Sequence, residues 1–178
     1  MLAIKKVAVL FIFSLFLSAC SDDSDSERIV VNTTADKLEG TWAMNETTQE
    51  GTFETNVQGL PLKVNFTSYG ENITAQVVFT GTPNSLASSG GFDNVVTVSG
   101  LAINETIPVL LNDFLVNGTW TVNGGIITIS QNNQQVEAYV IELTDTLLKI
   151  EVDIIETLTI QGITGDVEST SSITFTKQ

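Results

Sequence analysis

The sequence predicts an all-β fold, either an antiparallel barrel or a β-sandwich, with one short helix. About ten segments after residue 37 alternate apolar and polar residues, which is typical of antiparallel strands with one face in solvent. These segments are rich in Thr, Val and Ile, and turns rich in Asn and Gly separate them. The chain of 178 residues has room for one such domain behind a leader.

Residues 1–19 are predicted to form a secretory signal peptide. Lys5 and Lys6 make the start basic, residues 7–17 are apolar except for Ser14, and two small residues follow. This order is typical of a leader that is cleaved. The apolar stretch is well short of the ~20 residues that a membrane-spanning helix needs, so we prefer a signal peptide to a transmembrane anchor.

The leader ends in Leu17-Ser18-Ala19-Cys20, which contains the chain's single cysteine. These four residues resemble the lipobox of bacterial lipoproteins. The resemblance implies that Cys20 becomes the first residue of the mature chain and is the site of lipid attachment. Burial of acyl chains contributes roughly 0.8 kcal/mol per CH₂, so two or more chains hold a protein firmly at a membrane. The alternative is a secreted protein in which Cys20 is a free thiol.

Residues 20–36 are predicted to be a lipidated, acidic and disordered tether before a β domain at residues 37–178. Residues 21–34 begin polar and charged, and up to Ile29 they bury too little apolar surface to offset the entropy of ordering. The acidic residues are Asp22, Asp23, Asp25 and Glu27. They form either a solvated spacer or an export signal. We favour the signal, because an acidic cluster after the lipidated Cys resembles the one that sends some Gram-negative lipoproteins to the outer face of the outer membrane. The cluster lacks the Gly hinge and distal Glu of a calcium-binding loop.

Charge excludes nucleic acid as a partner. Cleavage after residue 19 would leave five basic and 21 acidic residues, a net charge of −16. Binding to phosphates requires clustered Lys and Arg, and the sequence has no such cluster. The predicted contacts are a membrane, through the lipid anchor, and either a surface partner or a small apolar ligand.

Strand patterns cover most of the β domain. In the clearest, residues 147–154, Leu148, Ile150 and Val152 alternate with Lys149 and Glu151. The other predicted strands are residues 41–47, 52–58, 62–69, 73–80, 94–104, 118–122, 126–130, 136–143, 157–162 and 171–177. The Asn-Gly-Gly sequence at 123–125 predicts a hairpin. Residues 82–91 show no strand pattern and are predicted to be a mobile loop, which makes them a candidate for function.

Residues 105–118 are predicted to form the one short helix. The apolar residues at helical spacing are Ile107, Leu110, Leu111 and Phe114. Thr106 can cap the start, Pro108 suits the first turn and Gly118 can end the helix. We expect the helix to plug one open end of the sheet; the alternative is a lid over a cavity.

Three segments resemble lipocalins. Residues 38–42 read LEGTW, which resembles the Gly-x-Trp signature of that family, and residues 118–130 and 143–152 resemble later strands of lipocalin-like domains in bacterial lipoproteins. The resemblance implies an antiparallel lipocalin-like barrel. It also implies that Trp42 packs across the closed base and that Gly40 permits close approach of the chain. The Thr-Asp-x-x-Tyr motif of true lipocalins and its partner Arg are absent from the sequence.

The sequence predicts a binding protein rather than an enzyme, with no cofactor and no metal. It contains no His, which excludes a Ser-His-Asp triad and an imidazole base. Lipidation of Cys20 would leave no thiol nucleophile. Glu151 and Asp153 keep a carboxylate-dependent glycan hydrolase as a less favoured alternative, although their place on the polar face of a strand explains them. Trp42 and Trp120 are expected in the core.

The inward faces of the predicted barrel carry bulky side chains. The residues expected there are Val64, Phe66, Val77, Phe79, Leu148, Ile150, Val152 and Ile154. A barrel of eight to ten strands can be nearly filled by such side chains or can hold one small ligand. We expect a filled interior and a partner that contacts the rim loops, above all residues 82–91. The alternative is a carrier with an apolar ligand inside the barrel.

Overall fold

The computed structural model describes residues 28–100, 103–160 and 163–178. This part of the chain contains eleven strands, one short helix and one 3₁₀ turn. The helix α1 is Ala35–Leu38, and the 3₁₀ turn is Leu111–Asp113. The strands are β1 Gly40–Val57, β2 Leu60–Glu71, β3 Gln76–Gly81, β4 Asn84–Ser89, β5 Gly91–Val98, β6 Ile103–Leu110, β7 Gly118–Asn123, β8 Ile126–Gln131, β9 Gln134–Leu143, β10 Leu147–Ile160 and β11 Ile163–Lys177.

Eight of the strands close into an antiparallel barrel. Their order is β1-β3-β4-β7-β8-β9-β10-β11, and β11 pairs with β1 again. Trp42 of β1 lies opposite Val77 of β3 on one side and Lys177 of β11 on the other. The predicted all-β antiparallel barrel is therefore confirmed, and the sandwich alternative is wrong.

Three barrel strands continue beyond the barrel into a second sheet. The outer half of β1 pairs with β2, and β5 and β6 follow in order. On the other side of β1, the outer halves of β11 and β10 stay paired with each other. We call this sheet the extension; it consists of β2, β5, β6 and residues 48–57, 153–160 and 163–170. In the described part of the chain, its edges β6 and residues 153–160 have no further strand partner.

A β-bulge in β1 determines which side chains face inward. The register of β1 with β11 shifts between Met44 and Glu46, so the extra residue is Asn45. Trp42 and Met44 are buried before the bulge, and Thr47 is buried after it. Side chains alternate between the two faces of a strand. Without the extra residue, Glu46 would point into the barrel, where an unpaired carboxylate is costly.

Trp42 closes the base of the barrel, as the lipocalin resemblance implies. The indole is fully buried, and its Nε1 donates a hydrogen bond to the carbonyl oxygen of Leu38, 2.7 Å away. The Lys177 ammonium lies 5.0 Å from the Trp42 ring centroid. Gly40 has a φ of 127°, and a Cβ there would lie 2.8 Å from Cε of Lys177. Only glycine accommodates both constraints easily.

The apolar residues form two clusters. The larger cluster fills the barrel and contains both tryptophans. The smaller one, the extension core, lies between the strands of the extension. Its buried members are Phe53, Phe66, Val96, Val98 and Val167, with Val64, Ile107 and Leu158 packed against them.

The predicted helix at residues 105–118 is wrong. Residues up to Leu110 belong to strand β6, and only Leu111–Asp113 forms a 3₁₀ turn. Pro108 fits a strand here because β6 is an edge strand whose neighbour β5 lies on one side only. The plug is nevertheless present in another form, because Leu111 and Leu115 are buried in the barrel cluster.

The predicted mobile loop at residues 82–91 is also wrong, since it contains strand β4. Leu86 is buried, and the hydroxyl of buried Ser88 donates to the carbonyl oxygen of Leu115. Its Ser and Ala residues have weak strand propensity, so only pairing with β3 and β7 makes this segment a strand. Two pairs of predicted strands, 41–47 with 52–58 and 147–154 with 157–162, are single long strands, β1 and β10. Conversely, the predicted strand at 94–104 covers parts of two strands, β5 and β6.

The end of the predicted tether packs on the barrel. The backbone nitrogen of Val31 donates to the carbonyl oxygen of Val140 at 2.7 Å, and Arg28 reaches β10. Arg28 and Val31 therefore contact the β domain, while the boundary between tether and domain stays a prediction. Cys20 and the acidic residues Asp22, Asp23, Asp25 and Glu27 lie outside the described residues. Within residues 28–100, 103–160 and 163–178, no helix has the length and apolar character needed to cross a membrane.

The first prediction concerns the closed base. Replacement Trp42→Phe should lower the free energy of unfolding by about 1–3 kcal/mol, because it leaves the buried Leu38 carbonyl without its donor and removes packed atoms. Urea denaturation followed by circular dichroism measures the change. The matched control is Ile155→Ala, whose side chain is 83% exposed and should change stability by less than about 0.5 kcal/mol. Equal stabilities of the two variants would contradict the assigned role of Trp42.

Candidate functional site

A cavity of about 490 Å³ lies between the mouth of the barrel and the extension. This volume falls within the range of roughly 300–1,000 Å³ typical of small-molecule sites. Both sheets and the segment after β6 contribute to its wall. The lining residues are Thr47, Gln49, Phe66, Phe92, Asn94, Val96, Ile107, Pro108, Val109, Asp113, Phe114, Val136, Val152, Asp153, Ile154, Ile155, Glu156, Leu158, Val167 and Ser171.

Aromatic and aliphatic side chains form most of the cavity wall. Phe92 at the start of β5 and Phe114 after the 3₁₀ turn pack edge to face, with ring centroids 6.1 Å apart. Val152 and Ile154 face the cavity from β10, because the alternation along that strand places even-numbered residues inside. The extension core supplies the opposite wall. The cavity therefore suits an apolar body.

A polar stripe crosses the inner face between the two apolar clusters. Its residues are Thr47, Gln49, Ser68, Asn94, Ser169 and Ser171. The Gln49 amide nitrogen donates to Ser169 Oγ at 2.7 Å, and Gln49 Oε1 accepts from Ser68 Oγ at 3.2 Å and Asn94 Nδ2 at 3.4 Å. The hydroxyls of Thr47 and Ser171 lie 3.3 Å apart. Because these groups bond to each other, the stripe can border an apolar ligand without loss of hydrogen bonds.

Three carboxylates line the cavity: Asp153, which is bound to Arg28, and Asp113 and Glu156. Asp113 ends the 3₁₀ turn, and Glu156 follows Ile154 on the inner face of β10. Burial, and to a lesser degree the charge of Asp113, raise the pKa of Glu156. None of the described residues that line the cavity is Lys, Arg or His. Its electrostatic potential is therefore negative, which opposes anionic ligands and favours neutral or cationic ones.

A further carboxylate, which does not line the cavity, lies on the same inner side. Glu105 shares the inner face of β6 with Ile107 and Val109, and its Oε2 is buried with no hydrogen-bond partner in the described chain. Glu105 does not line the cavity itself. Among the described residues, no cluster of His, Cys, Asp or Glu has the arrangement of a metal site.

Glu151 and Asp153, the carboxylate pair considered for hydrolysis, lie on the outside of β10 beside a larger groove of about 1300 Å³. Both are bound to Arg28, whose Nε lies 2.8 Å from Glu151 and whose terminal nitrogen lies 2.7 Å from Asp153. The hydrogen bond from Arg28 lowers the pKa of Asp153, and Thr170 donates to the same carboxylate. A general acid needs the opposite shift, so the geometry does not favour hydrolysis.

The structure separates the side chains that the sequence placed together inside the barrel. Val77, Phe79, Leu148, Ile150 and Val152 are buried there, and Ile154 packs against them. The other two expected residues, Val64 and Phe66, lie in the extension core, which is a correction. The expectation that little cavity would remain is wrong at the barrel mouth.

Several cavity residues are not indicated by the sequence patterns. Gln49 faces inward only because of the bulge at Asn45, which no sequence pattern indicated. Phe114 was assigned to a helix. Glu156 could have been found, because the alternation in β10 continues past residue 154 and places it on the inner face.

Comparison with known proteins supports the fold assignment. The family described as "Lipocalin-like domain" matches residues 38–150, which include β1 to β9 and the start of β10. No curated protein and no solved structure gives a significant match. Lipocalin-like domains are typically binding proteins rather than enzymes. With this match over more than half of its length and a closed eight-stranded barrel, the chain belongs to the family of lipocalin-like domains.

Proposed function

We propose that this chain is a lipid-anchored cell-envelope protein of a Gram-negative bacterium that binds a small, apolar, uncharged ligand. The observation that carries the ligand proposal is the cavity of about 490 Å³ between the barrel and the extension. From the sequence alone, a surface partner was preferred to a carrier. The cavity now reverses that preference.

Size and lining support a compact ligand. An apolar body can contact Phe92 and Phe114 on one side and Val152 and Ile154 on the other. The polar stripe is already satisfied internally, so a ligand need not supply hydrogen bonds to it. Burial of apolar ligand surface is then the main source of affinity, at roughly 25 cal/mol per Å² before the costs of association.

Charge supports an uncharged ligand. A ligand anion would be placed near Asp113 and Glu156, and no described residue of the cavity wall has a basic side chain. Free fatty acids, whose carboxylates are ionised at neutral pH, are therefore poorer candidates than neutral lipids or aromatic molecules of similar size.

A surface partner remains the second candidate. The outer groove beside Arg28 is flanked by Ile29 and Ile155, which are 84% and 83% exposed. Exposed apolar side chains beside a polar groove are typical of contact sites. The proposed contact site is therefore this groove and no longer residues 82–91, because those residues contain strand β4 of the barrel.

The envelope location rests on the sequence of the leader. Cys20 at the end of a lipobox-like motif is the proposed lipid attachment site, and Asp22, Asp23, Asp25 and Glu27 are the proposed export signal. Attachment would place the cavity near a membrane, which is a source of small apolar molecules.

A cavity-filling variant tests the ligand site. Replacement Ile154→Trp should weaken binding of the neutral dye N-phenyl-1-naphthylamine at least tenfold, because the larger side chain occupies the cavity. The control is Thr157→Trp on the same strand, because the Thr157 side chain is exposed and does not line the cavity. Fluorescence titration of the purified chain measures both affinities. Saturable binding that is equally strong in both variants would place the dye elsewhere.

A matched pair of dyes tests the charge of the site. The dye 1-anilinonaphthalene-8-sulfonate has the same aromatic body and a permanent negative charge. It should bind more weakly than the neutral dye at pH 7, and Glu156→Gln should reduce the difference. Because the pKa of Glu156 is raised, the carboxyl is neutralised at a higher pH than an ordinary Glu, so affinity for the anionic dye should increase as pH falls through that pKa. Tighter binding of the anion at pH 7 would refute the proposed preference.

Lipid attachment is tested by Cys20→Ala. The variant should leave the membrane fraction or retain its leader, because no thiol is available for the diacylglyceryl group. Membrane fractionation and the mass of the mature chain measure both outcomes. A correctly cleaved variant that still sediments with membranes would contradict the proposed anchor.

Surface display is tested by replacing the four acidic residues of the tether with Ala. Lipidation should be unchanged, whereas digestion by protease added to whole cells should decrease. Unchanged digestion would show that the acidic cluster is not an export signal and would favour the alternative of a solvated spacer.

A further inference from the structure

The outer end of the extension exposes a small group of apolar side chains. Val57, Leu60 and Ile163 are 39%, 72% and 40% exposed, and we call them the apolar tip. Val57 and Leu60 are paired across the turn between β1 and β2. The two turn residues, Gln58 and Gly59, both have positive φ, as expected for a tight two-residue hairpin.

Strand register brings the third residue beside the first two. Thr55 of β1 pairs with Gly165 of β11. Val57 lies two residues after Thr55 in β1, and Ile163 lies two residues before Gly165 in β11. Because the strands are antiparallel, Val57 and Ile163 lie at the same level on neighbouring strands. The apolar tip is therefore one surface and not three scattered residues.

The two segments of sequence that form this end contain no charged residue. The chain has 21 acidic and seven basic residues. Even so, none lies between Glu54 and Lys63, and none lies between Glu156 and Asp166. Contact with hydrocarbon requires an exposed apolar side chain, here Leu60, and the absence of charge around it. A hairpin end that only faces water requires neither feature.

The described N-terminal segment runs toward the apolar tip. Val31 bonds to Val140, which lies opposite Ile150 of β10, and Arg28 bonds to Asp153, farther along β10. From Asp153 to the end of β10 at Ile160 the strand rises by about 23 Å at ~3.3 Å per residue. The residues between Arg28 and Cys20 can span up to about 27 Å. An anchor at Cys20 can therefore reach the level of the apolar tip.

We propose that the apolar tip inserts into the interface of a membrane of mainly zwitterionic lipid, the same membrane that holds the lipid anchor. This inference rests on the proposed anchor. Zwitterionic lipid is favoured because the acidic chain would be repelled by an anionic surface. Three side chains bind weakly alone, but the anchor raises their effective concentration at the bilayer, so the tip can orient the domain.

The orientation would have a consequence for the ligand site. The cavity is partly lined by residues 152–158 of β10, the same strand that ends at the tip. A tip at the membrane interface would hold the cavity within about 25 Å of the bilayer, by the strand rise of ~3.3 Å per residue. A small apolar ligand could then pass from the bilayer to the cavity without a long path through water.

The test places a fluorescent reporter on the tip of the full chain. Leu60→Trp is introduced into the lipidated protein, which is reconstituted into phosphatidylcholine vesicles with and without brominated acyl chains. The control is Tyr69→Trp, because Tyr69 is 48% exposed but lies nine residues back along β2, away from the tip. Both native tryptophans are buried and give the same background. Bromine should quench the Leu60→Trp chain several-fold more than the control chain.

A second variant set separates the tip from the anchor. The Cys20→Ala, Leu60→Trp chain should still show lipid-dependent quenching at high vesicle concentration, and Val57→Ser with Ile163→Ser should abolish it. A correctly cleaved Cys20→Ala chain that stays as firmly attached to the membrane as the lipidated chain, with preserved quenching, would reject the anchor and support the tip. A membrane-bound chain without extra quenching would overturn the tip proposal. Concentration-dependent burial of the reporter without lipid, with a dimer in sedimentation, would assign the tip to a second copy of the chain and also overturn it.

Discussion

Strand β1 and its bulge at Asn45 constrain the rest of the structure. The first part of β1 closes the barrel between β3 and β11, and the second part continues between β2 and β11 into the extension. One strand thus belongs to both the barrel and the extension. Even-numbered side chains of β1 face inward before Asn45 and odd-numbered ones after it, so both parts of the strand bury apolar side chains on their inner faces. Before the bulge this face presents Trp42, and after it Gln49 and Phe53. The cavity exists because the extension leaves the barrel at this point rather than folding back over its mouth.

Much of this fold could be predicted from residue patterns, because apolar and polar residues alternate in antiparallel strands that expose one face to solvent. The Gly-x-Trp signature at residues 40–42 even indicated the closed base. The errors arose where local pattern and tertiary context disagree. At Pro108 and Leu111 the spacing suited a helix, but an edge strand tolerates proline and the extension core takes Ile107. In β4, weak strand formers are held by neighbours on both sides.

The candidate site could be predicted far less well, for a physical reason. Its wall combines Gln49, Phe92, Phe114 and Glu156, which come from four elements distant in sequence. Each has an ordinary local explanation, and only the closure of one sheet and the curvature of the other bring them together. A single bulge also exchanges the inner and outer faces of everything that follows it in β1. Sequence alternation therefore indicates that a face is buried but not which cavity it borders.

The open side of the extension follows from the residues on its edges. Unpaired strand edges tend to pair with each other or with another chain, and inward-pointing charges and proline oppose this. Edge strand β6 contains Pro108 and the inward Glu105, and the edge of β10 contains the inward Glu156. Pairing of these edges would enclose two like charges in an apolar interior, so the second sheet cannot close as the barrel does. The inward carboxylates of Glu105 and Glu156 thus have two effects, both of which result from their negative charge. They keep a lateral opening between β6 and β10, and they give that opening the negative potential that selects against anions.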